Sequence, residues 1–205
     1  MAAWEDNGFT YYFDIENNEA CILHINNKNK KSKIKIPAKV QYNGQVYPVT
    51  KIRGWVYTSA KTRQVTDKRR KDYGMFEPTG EYYRFDAPVL TYDHWADKCV
   101  KSVVLPKSLK EIGDKAFVDC KVLTHVDIPE GVERIGKEAF YGCAELKELT
   151  IPSSVKEIGE YCFSGTSISL KIKNKPGSVK FGDCALGSDD KVTYVGKSLF
   201  SKLFG

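Results

Sequence analysis

One phrase of about 23 residues occurs three times in succession in this chain. It reads KSVVLPKSLKEIGDKAFVDCKVL over residues 101–123, THVDIPEGVERIGKEAFYGCAEL over 124–146 and KELTIPSSVKEIGEYCFSGTSI over 147–168. A unit this small cannot bury its own apolar face, so the copies have to stack and share one core. The repetition therefore predicts a solenoid before any secondary structure is assigned.

Each copy begins with an alternation of apolar and polar residues, such as HVDIP, which is typical of a half-buried strand. The proline that closes this segment, Pro129 or Pro152, cannot continue a ladder of backbone hydrogen bonds. A second alternation ends on a glycine, and the remaining residues are too few for more than one helical turn. We therefore expect a β-rich solenoid with one short strand and a single helical turn in each unit of about 23 residues.

Stacking the copies assigns their apolar residues to shared interior columns. The columns are Val103, Val126 and Leu149; Ile112, Ile135 and Ile158; and Phe117, Phe140 and Phe163. Cys120 and Cys143 share a further column, and Cys162 stands where the earlier copies have alanine. Because cysteine is among the most often buried residue types, we expect these three thiols to lie in the interior.

The charged residues test this alignment independently. Residues at the same position of neighbouring rungs lie about 4.7–4.9 Å apart, where like charges would repel each other. Three columns alternate in sign, namely Lys110, Glu133 and Lys156; Glu111, Arg134 and Glu157; and Asp114, Lys137 and Glu160. The pattern predicts a solvated face that neutralises its own charge.

Weaker copies flank the three regular ones. The upstream segment 32–60 is interpreted as an expanded copy whose residues on the apolar columns are Ile34, Ile36, Pro37, Ile52 and Tyr57. Downstream of residue 168 the apolar alternation continues without the proline register, and KVTYV (191–195) is predicted as the last strand. The predicted organisation is an N-terminal cap with the first expanded repeat (1–60), an insertion (61–98) and regular repeats with a C-terminal cap (99–205).

The insertion is the longest interruption of the repeat. From Ala60 to Val103 the chain advances 43 positions where Cys120 to Val126 takes six, which leaves 37 extra residues. A loop longer than about 12 to 15 residues is usually functional or disordered, and this one is rich in aromatic side chains that suit a binding site. The candidates are Tyr73, Phe76, Tyr82, Tyr83, Phe85, Tyr92 and Trp95. Alternatively, these aromatics pack the insertion as a hairpin against the solenoid.

The phrase IPxxVxxIGxxAFxxCxxL is similar to the BspA-like leucine-rich repeats of bacterial surface proteins. The resemblance covers residues 101–168 closely, and IPAKVQYNGQVYPVTKI (36–52) resembles the first unit of that family. It implies a leucine-rich-repeat right-handed superhelix and a secreted or surface-attached interaction protein, in some cases an adhesin for host matrix proteins. Arg53 departs from the pattern, because it stands where the family has a glycine.

No constellation for catalysis is recognisable. The three histidines, His24, His94 and His125, lie in separate segments without ligand spacing, so we expect no enzyme activity, no metal site and no cofactor. The net charge of +6 comes partly from the basic runs at 28–35 and 61–71, which leave nucleic-acid or polyanion binding as a lesser alternative. Residues 72–97 carry six acids, however, and these disfavour a groove for phosphates.

We therefore expect a non-catalytic module that binds a protein, with a host matrix or surface protein as first choice and a polysaccharide as second. Besides the insertion, its candidate residues flank the inward strand positions: Ser102, Val104, His125, Asp127, Glu148, Thr150, Ser169 and Lys171. A spacer domain of a larger surface protein is the competing interpretation. The first residues lack the pattern of a signal peptide and no apolar run would span a membrane. An extracellular or cell-surface location is expected, with a cytoplasmic one left open.

Overall fold

The computed structural model describes residues 4–25, 31–53, 56–58, 82–84 and 100–195. Within these ranges the chain forms strands and turns, and no helix. The predicted β-rich solenoid is confirmed by this stack of paired strands, whereas the prediction of a helical turn in each unit is wrong for the described rungs.

Six strands build the N-terminal part of the fold. They are β1 (Trp4–Asp6), β2 (Phe9–Asp14), β3 (Glu19–Ile25), β4 (Lys33–Lys35), β5 (Lys39–Tyr42) and β6 (Gln45–Ile52). Asn-Gly turns join β1 to β2 and β5 to β6, and both residues of each turn have positive φ, for example 48° at Asn43 and 79° at Gly44. This geometry matches the right-handed twist of hairpin strands, which explains why the two antiparallel pairs form at these dipeptides.

Two further strands lie in the predicted insertion and just before it. The short strands β7 (Val56–Thr58) and β8 (Tyr82–Arg84) pair with each other in an antiparallel, two-stranded sheet. Tyr57 was predicted on an apolar column of the repeat, but its backbone pairs with Tyr83 in this separate sheet. The local β pairing thus replaces the turn that the regular rungs form at the equivalent position.

Each regular rung contributes two strands to the solenoid. In chain order they are β9 (Ser102–Val104) and β10 (Glu111–Ile112), β11 (His125–Asp127) and β12 (Arg134–Ile135), β13 (Glu148–Ile151) and β14 (Glu157–Ile158), and β15 (Ser169–Ile172) and β16 (Lys180–Phe181), followed by β17 (Lys191–Tyr194). The expectation of one strand per rung is therefore wrong. The second alternation of each unit forms its own parallel ladder, because its neighbours repeat it in register.

A nine-stranded sheet carries the N-terminal part directly into the rungs. Its order is β1-β2-β3-β6-β10-β12-β14-β16, with β5 paired to β6. One apolar row crosses seven of these strands on the core side: Tyr11, Ile22, Ile52, Ile112, Ile135, Ile158 and Phe181. All but the last of these residues are buried, so the predicted isoleucine column is confirmed and Ile52 belongs to it.

The opposite side of the core consists of two three-stranded parallel sheets, β11-β9-β4 and β13-β15-β17. Their inward rows are Ile34, Val103 and Val126 in one sheet, and Leu149, Leu170 and Val192 in the other. The predicted positions of Ile34, Val103, Val126 and Leu149 are confirmed, since these side chains lie in one buried cluster with the isoleucine row. The strand KVTYV is confirmed as β17.

The segment after each glycine is a run of overlapping turns rather than a helix. In the first regular rung, the amides of Lys115, Phe117 and Asp119 donate to carbonyls of the next rung at 2.7–2.8 Å. The amides between them donate to carbonyls three residues earlier in the same rung. Lys115 and Asp119 have φ of 54° and 55°, a left-handed conformation that a right-handed helical turn excludes.

These turns hold the phenylalanine column. Phe117, Phe140 and Phe163 are fully buried, and their ring centroids are 5.2 Å and 5.7 Å apart in sequence order. The rings of Phe140 and Phe163 are nearly parallel, with 8° between their planes. The predicted aromatic column is confirmed as a continuous stack through three rungs.

The interior cysteines are also confirmed. Cys120, Cys143 and Cys162 are fully buried. The Sγ of Cys143 donates a hydrogen bond to the carbonyl of Phe117 at 3.0 Å, and burial raises the pKa of the Cys143 thiol to about 12. The thiol therefore packs as a small, protonated core residue.

The glycine column marks where successive rungs come closest. A Cβ on Gly113 would meet Cγ of Arg53 and lie 2.8 Å from the carbonyl oxygen of Ile52, so the first regular rung needs glycine above Arg53. Arg53 itself projects to Glu111, with its Nη2 2.9 Å from Oε1 of that carboxylate. The departure noted in the sequence thus lies at the first position of the column, where the side chain leaves the stack to form an ion pair.

Charges alternate along the outer side of the nine-stranded sheet, as the sequence predicts. The register aligns Lys51, Glu111, Arg134, Glu157 and Lys180 in one row. Nη1 of Arg134 lies 2.8 Å from Glu111, while Lys156 and Lys137 pair with Glu133 and Glu160 of adjacent rungs at 2.6 Å and 2.8 Å. Such pairs on a partly exposed surface fix register more than they add stability.

Glu19 connects the N-terminal part to the first regular rung. Its carboxylate is 13% exposed and lies 3.0 Å from Nζ of both Lys51 and Lys110. Partial burial raises the pKa of Glu19, but the hydrogen bonds from the two lysines outweigh this effect and leave the pKa below its ordinary value. The ionised carboxylate is therefore the form that the fold prefers.

Glu19→Gln should consequently lower stability at neutral pH and matter less in acid. Because the folded-state pKa is depressed, the stabilisation is complete above the unfolded pKa of about 4.3 and is lost as the pH falls through the folded value. We expect the urea midpoints of the wild type and the variant to differ at pH 7 and to converge at pH 3. The exposed Glu145, changed to glutamine, serves as the control and should leave the pH dependence unchanged. A constant difference between wild type and Glu19→Gln at both pH values would contradict the assignment.

Candidate binding surfaces

The first candidate surface is the strand face, which we define as the outward side chains of β9, β11, β13 and β15. Its members are Ser102, Val104, His125, Asp127, Glu148, Thr150, Ser169 and Lys171. They are exposed or half-buried, while the residues between them lie in the core. The face therefore presents two outward side chains from each rung on a hydrogen-bonded frame.

The predicted residues of this face form two separate groups. On β11, Nε2 of His125 lies 3.1 Å from Oδ2 of Asp127, and both side chains are largely exposed. On the other sheet, Oε2 of Glu148 lies 2.9 Å from Nζ of Lys171 on β15. Thr150 is exposed on the same strand as Glu148. Glu148 and Lys171 thus neutralise each other within the face, and Ser102, Thr150 and Ser169 add hydroxyls suited to hydrogen bonding.

The second candidate surface is the insertion. Of its seven predicted aromatics, Tyr82 and Tyr83 lie on β8, where their backbones pair with Thr58 and Tyr57. The other predicted residues, Tyr73, Phe76, Phe85, Tyr92 and Trp95, lie outside the described residues. The pairing of β7 with β8 is compatible with both interpretations of the insertion. In one the aromatics contact a partner, and in the other they pack against the solenoid.

Backbone hydrogen bonds to neighbouring rungs continue close to both ends of the predicted insertion. The amide of Arg53 still donates to the carbonyl of Ile22 at 2.9 Å, and the amide of Lys101 already donates to Ser32 at 2.8 Å. Between these points the regular rungs have their turn segments. The predicted insertion therefore falls between two points at which the described chain is bonded to neighbouring rungs.

Two exposed tyrosines on the turn segments were missed in the sequence. Tyr141 and Tyr161 are each 41% exposed, and Nζ of Lys137 lies 5.9 Å from the ring centroid of Tyr161. The signal was their departure from the other copies, which have Val118 or Ser164 in place of Tyr141. Each tyrosine occurs at its position in only one copy, so the repeat pattern does not show whether its ring is exposed or buried.

In the described ranges, no cluster of three or more His, Cys, Asp or Glu side chains is placed to hold a metal ion. Over the same residues, no helix has the length and apolar character needed to cross a membrane.

Stacked rungs of about 23 residues, with parallel ladders on two sides of one core, define the chain as a leucine-rich-repeat type of solenoid. Residues 92–203 match the BspA type leucine rich repeat region, in six copies. The chain therefore belongs to the BspA-type leucine-rich-repeat family, as its repeated phrase suggested. No curated protein sequence matches it.

Solved structures of bacterial proteins share the fold. A leucine-rich repeat protein from Bacteroides capillosus has 19% identity and a TM-score of 0.55, over 94% of this chain and 99% of that one. The T. pallidum leucine rich repeat protein has 18% identity and a TM-score of 0.52, over 100% and 97%. The pneumococcal vaccine antigen PcpA has the same identity and TM-score, over 93% of this chain and 48% of its own. At these identities the likeness shows the fold alone.

Proposed function

We propose that this chain is a non-catalytic binding module that recognises a protein outside the cell or at its surface, in the manner of an adhesin. One observation carries the proposal. The inward positions of the rungs repeat the same apolar types, whereas the outward positions of the strand face change from Ser102 to His125, Glu148 and Ser169. A frame that keeps its core and varies its surface is suited to recognition without chemistry.

The proposed partner is a host matrix or surface protein, with a polysaccharide as the alternative. The family membership supports a protein partner, since repeat scaffolds of this type generally bind proteins. The name of one solved relative, a pneumococcal vaccine antigen, supports an extracellular or surface location. The finer description of the fold, a right-handed superhelix with domains at 1–60, 61–98 and 99–205, forms part of this proposal.

We place the binding site on the insertion together with the strand face. The insertion adds aromatic side chains, which supply large apolar contact area and a hydrogen-bonding tip. The strand face adds His125, Asp127, Glu148 and Thr150 as polar contacts. Aromatic anchors within a polar surround are the usual composition of a protein interface.

Replacing residues 62–97 by a short Gly/Ser linker tests this placement. The shortened protein should stay folded, because the apolar rows of the three sheets around the core contain none of those residues. It should lose binding to the matrix protein that the full chain captures on an array. Folding is followed by circular dichroism and thermal unfolding, and binding by surface plasmon resonance. The matched variant Lys107→Ala, at an exposed residue outside both surfaces, should bind as the wild type does.

Three outcomes of this experiment have different meanings. Full affinity after the replacement would move the site away from the insertion. An unfolded product would make the insertion part of the core. If no matrix or surface protein binds the full chain, a spacer role gains support, which the Glu148–Lys171 ion pair within the strand face already favours.

A further inference from the structure

Strand β4 forms an open edge of the solenoid as far as the described residues extend. It is the last strand of the sheet β11-β9-β4, and in the described part of the chain it pairs with β9 alone. The carbonyl of Ser32 accepts the amide of Ser102 at 3.1 Å, and the amide of Ile36 donates to Val104 at 3.0 Å. Since backbone groups alternate between the two sides of a strand, those of Lys33 and Lys35 point to the open side.

The side chains that β4 turns outward at this edge are positively charged. Lys33 and Lys35 are exposed on the outer side, with the buried Ile34 between them on the core side. Lys101, which precedes β9, is exposed as well. None of these three lysines has an ion-pair partner within the described ranges, unlike Lys51, which pairs with Glu19. Their cross-strand neighbours Ser102 and Val104 are uncharged.

We propose that the open edge of β4 binds an extended acidic peptide of a partner protein by strand addition. A strand added here would place two outward side chains directly opposite Lys33 and Lys35, at Cβ separations of about 4.5–5.5 Å, where opposite charges attract. The residue between them would extend the apolar row of Ile34, Val103 and Val126. The recognised segment is therefore acidic, apolar and acidic at three successive positions. Main-chain hydrogen bonds supply affinity and the alternate side chains supply specificity.

This inference goes beyond the proposed function, because β4 belongs neither to the strand face nor to the insertion. Lysines on an edge strand also have a purely protective use, since they discourage pairing with other chains. That protection acts against apolar and basic strands. An acidic segment is attracted to the lysines instead of being repelled. Binding of an acidic peptide therefore distinguishes a binding edge from a purely protective one.

The test uses the full chain and a fluorescent peptide, acetyl-Gly-Glu-Val-Glu-Val-Glu-Gly-amide, followed by anisotropy at low salt. We expect saturable binding that weakens about tenfold or more in Lys33→Glu/Lys35→Glu, because two attractive cross-strand pairs become repulsive. The control Lys175→Glu/Lys191→Glu makes the same change in net charge at two exposed lysines of the C-terminal rungs and should bind as the wild type does. Circular dichroism verifies that both variants fold.

A second arm separates strand addition from simple charge attraction. N-methylation of the alternate peptide amides that face β4 should abolish binding, whereas methylation of the other set should not. A scrambled peptide with three consecutive glutamates keeps the charge and should bind more weakly.

Equal binding by both methylated peptides and the scrambled one would overturn the proposal. So would heparin binding that requires Lys33 and Lys35 when the peptide does not bind, because the edge would then be a polysaccharide site. Absence of any binding would leave the lysines a protective role alone. All these variants keep residues 62–97 and the strand face intact, so failure here would not affect the proposed function.

Discussion

Phe140→Ala should cost about 3–5 kcal/mol of the free energy of unfolding, the range for large-to-small changes in packed cores. Phe140 is fully buried and stacks between Phe117 and Phe163, with ring centroids at 5.2 Å and 5.7 Å. Its backbone is fixed on both sides of the ring, because the Phe140 amide donates to Cys162 at 3.0 Å and the Phe117 amide donates to Ala139 at 2.8 Å. The turns therefore cannot collapse into the cavity, which places the loss toward the upper end of the range.

Two variants on the same rung provide the comparison. Tyr141→Ala removes an aromatic ring of similar size from a side chain that is 41% exposed, and Glu133→Ala removes a charged side chain at the surface. Urea unfolding of all three variants should show a large loss for Phe140→Ala and much smaller changes for the other two. Similar losses for Phe140→Ala and Tyr141→Ala would show that the aromatic column is assigned to the wrong residues.

The interior of this fold was predictable because the same apolar residue types recur at the same position of every copy. A wrong alignment of the copies would place polar residues in the core of each rung. The columns of Ile112 and Phe117 follow from the repeat length alone, and the expanded first copy still places Ile34 and Ile52 correctly. Charge alternation along Glu111 and Arg134 gave the same register from independent residues. The apolar columns and the charged columns therefore indicate the same alignment of the rungs, as expected of a sequence that specifies one structure.

The second strand and the turns of each rung were not predictable on the same basis. A ladder of two residues, such as Arg134–Ile135, is too short for an alternation pattern to identify it. The turn segments contain good helix formers, yet Lys115, Glu138 and Tyr161 have φ near 54°. Nothing in these residue types signals a left-handed backbone, and it is the hydrogen bonds to the next rung that stabilise it.

For the candidate surfaces, the sequence predicted which side chains point outward but not which of them pair with each other. Outward positions such as His125 and Glu148 follow from strand alternation, and the structure confirms their exposure. That Glu148 pairs with Lys171 across two strands depends on side-chain rotamers as well as register. The open edge of β4 depends on sheet order, which is a property of the whole chain rather than of the local sequence.

The stacking distance between rungs leads to the last prediction, which concerns Gly159. Its φ needs no glycine, so the requirement is one of space. A Cβ at this position would meet the backbone nitrogen of Lys137 and lie 2.5 Å from the carbonyl carbon of Gly136 and 2.8 Å from Cα of Lys137. These are main-chain atoms of the preceding rung, which cannot move aside as a flexible side chain would.

Gly159→Ala is therefore expected to cost about 3 kcal/mol, the upper part of the usual range for overpacked sites. Relief of the contact would have to lengthen the hydrogen bond from the Gly159 amide to Ile135, now 2.8 Å, and spread β14 from β12. Gly187→Ala is the matched control, because the nearest atom to a Cβ there is Oδ2 of Asp190 at 3.6 Å, an ordinary contact. Urea unfolding should show a large loss for the first variant and a change within about 0.5 kcal/mol for the second. Equal tolerance of both substitutions would mean that the rungs are spaced more widely at the glycine column than the structure has them.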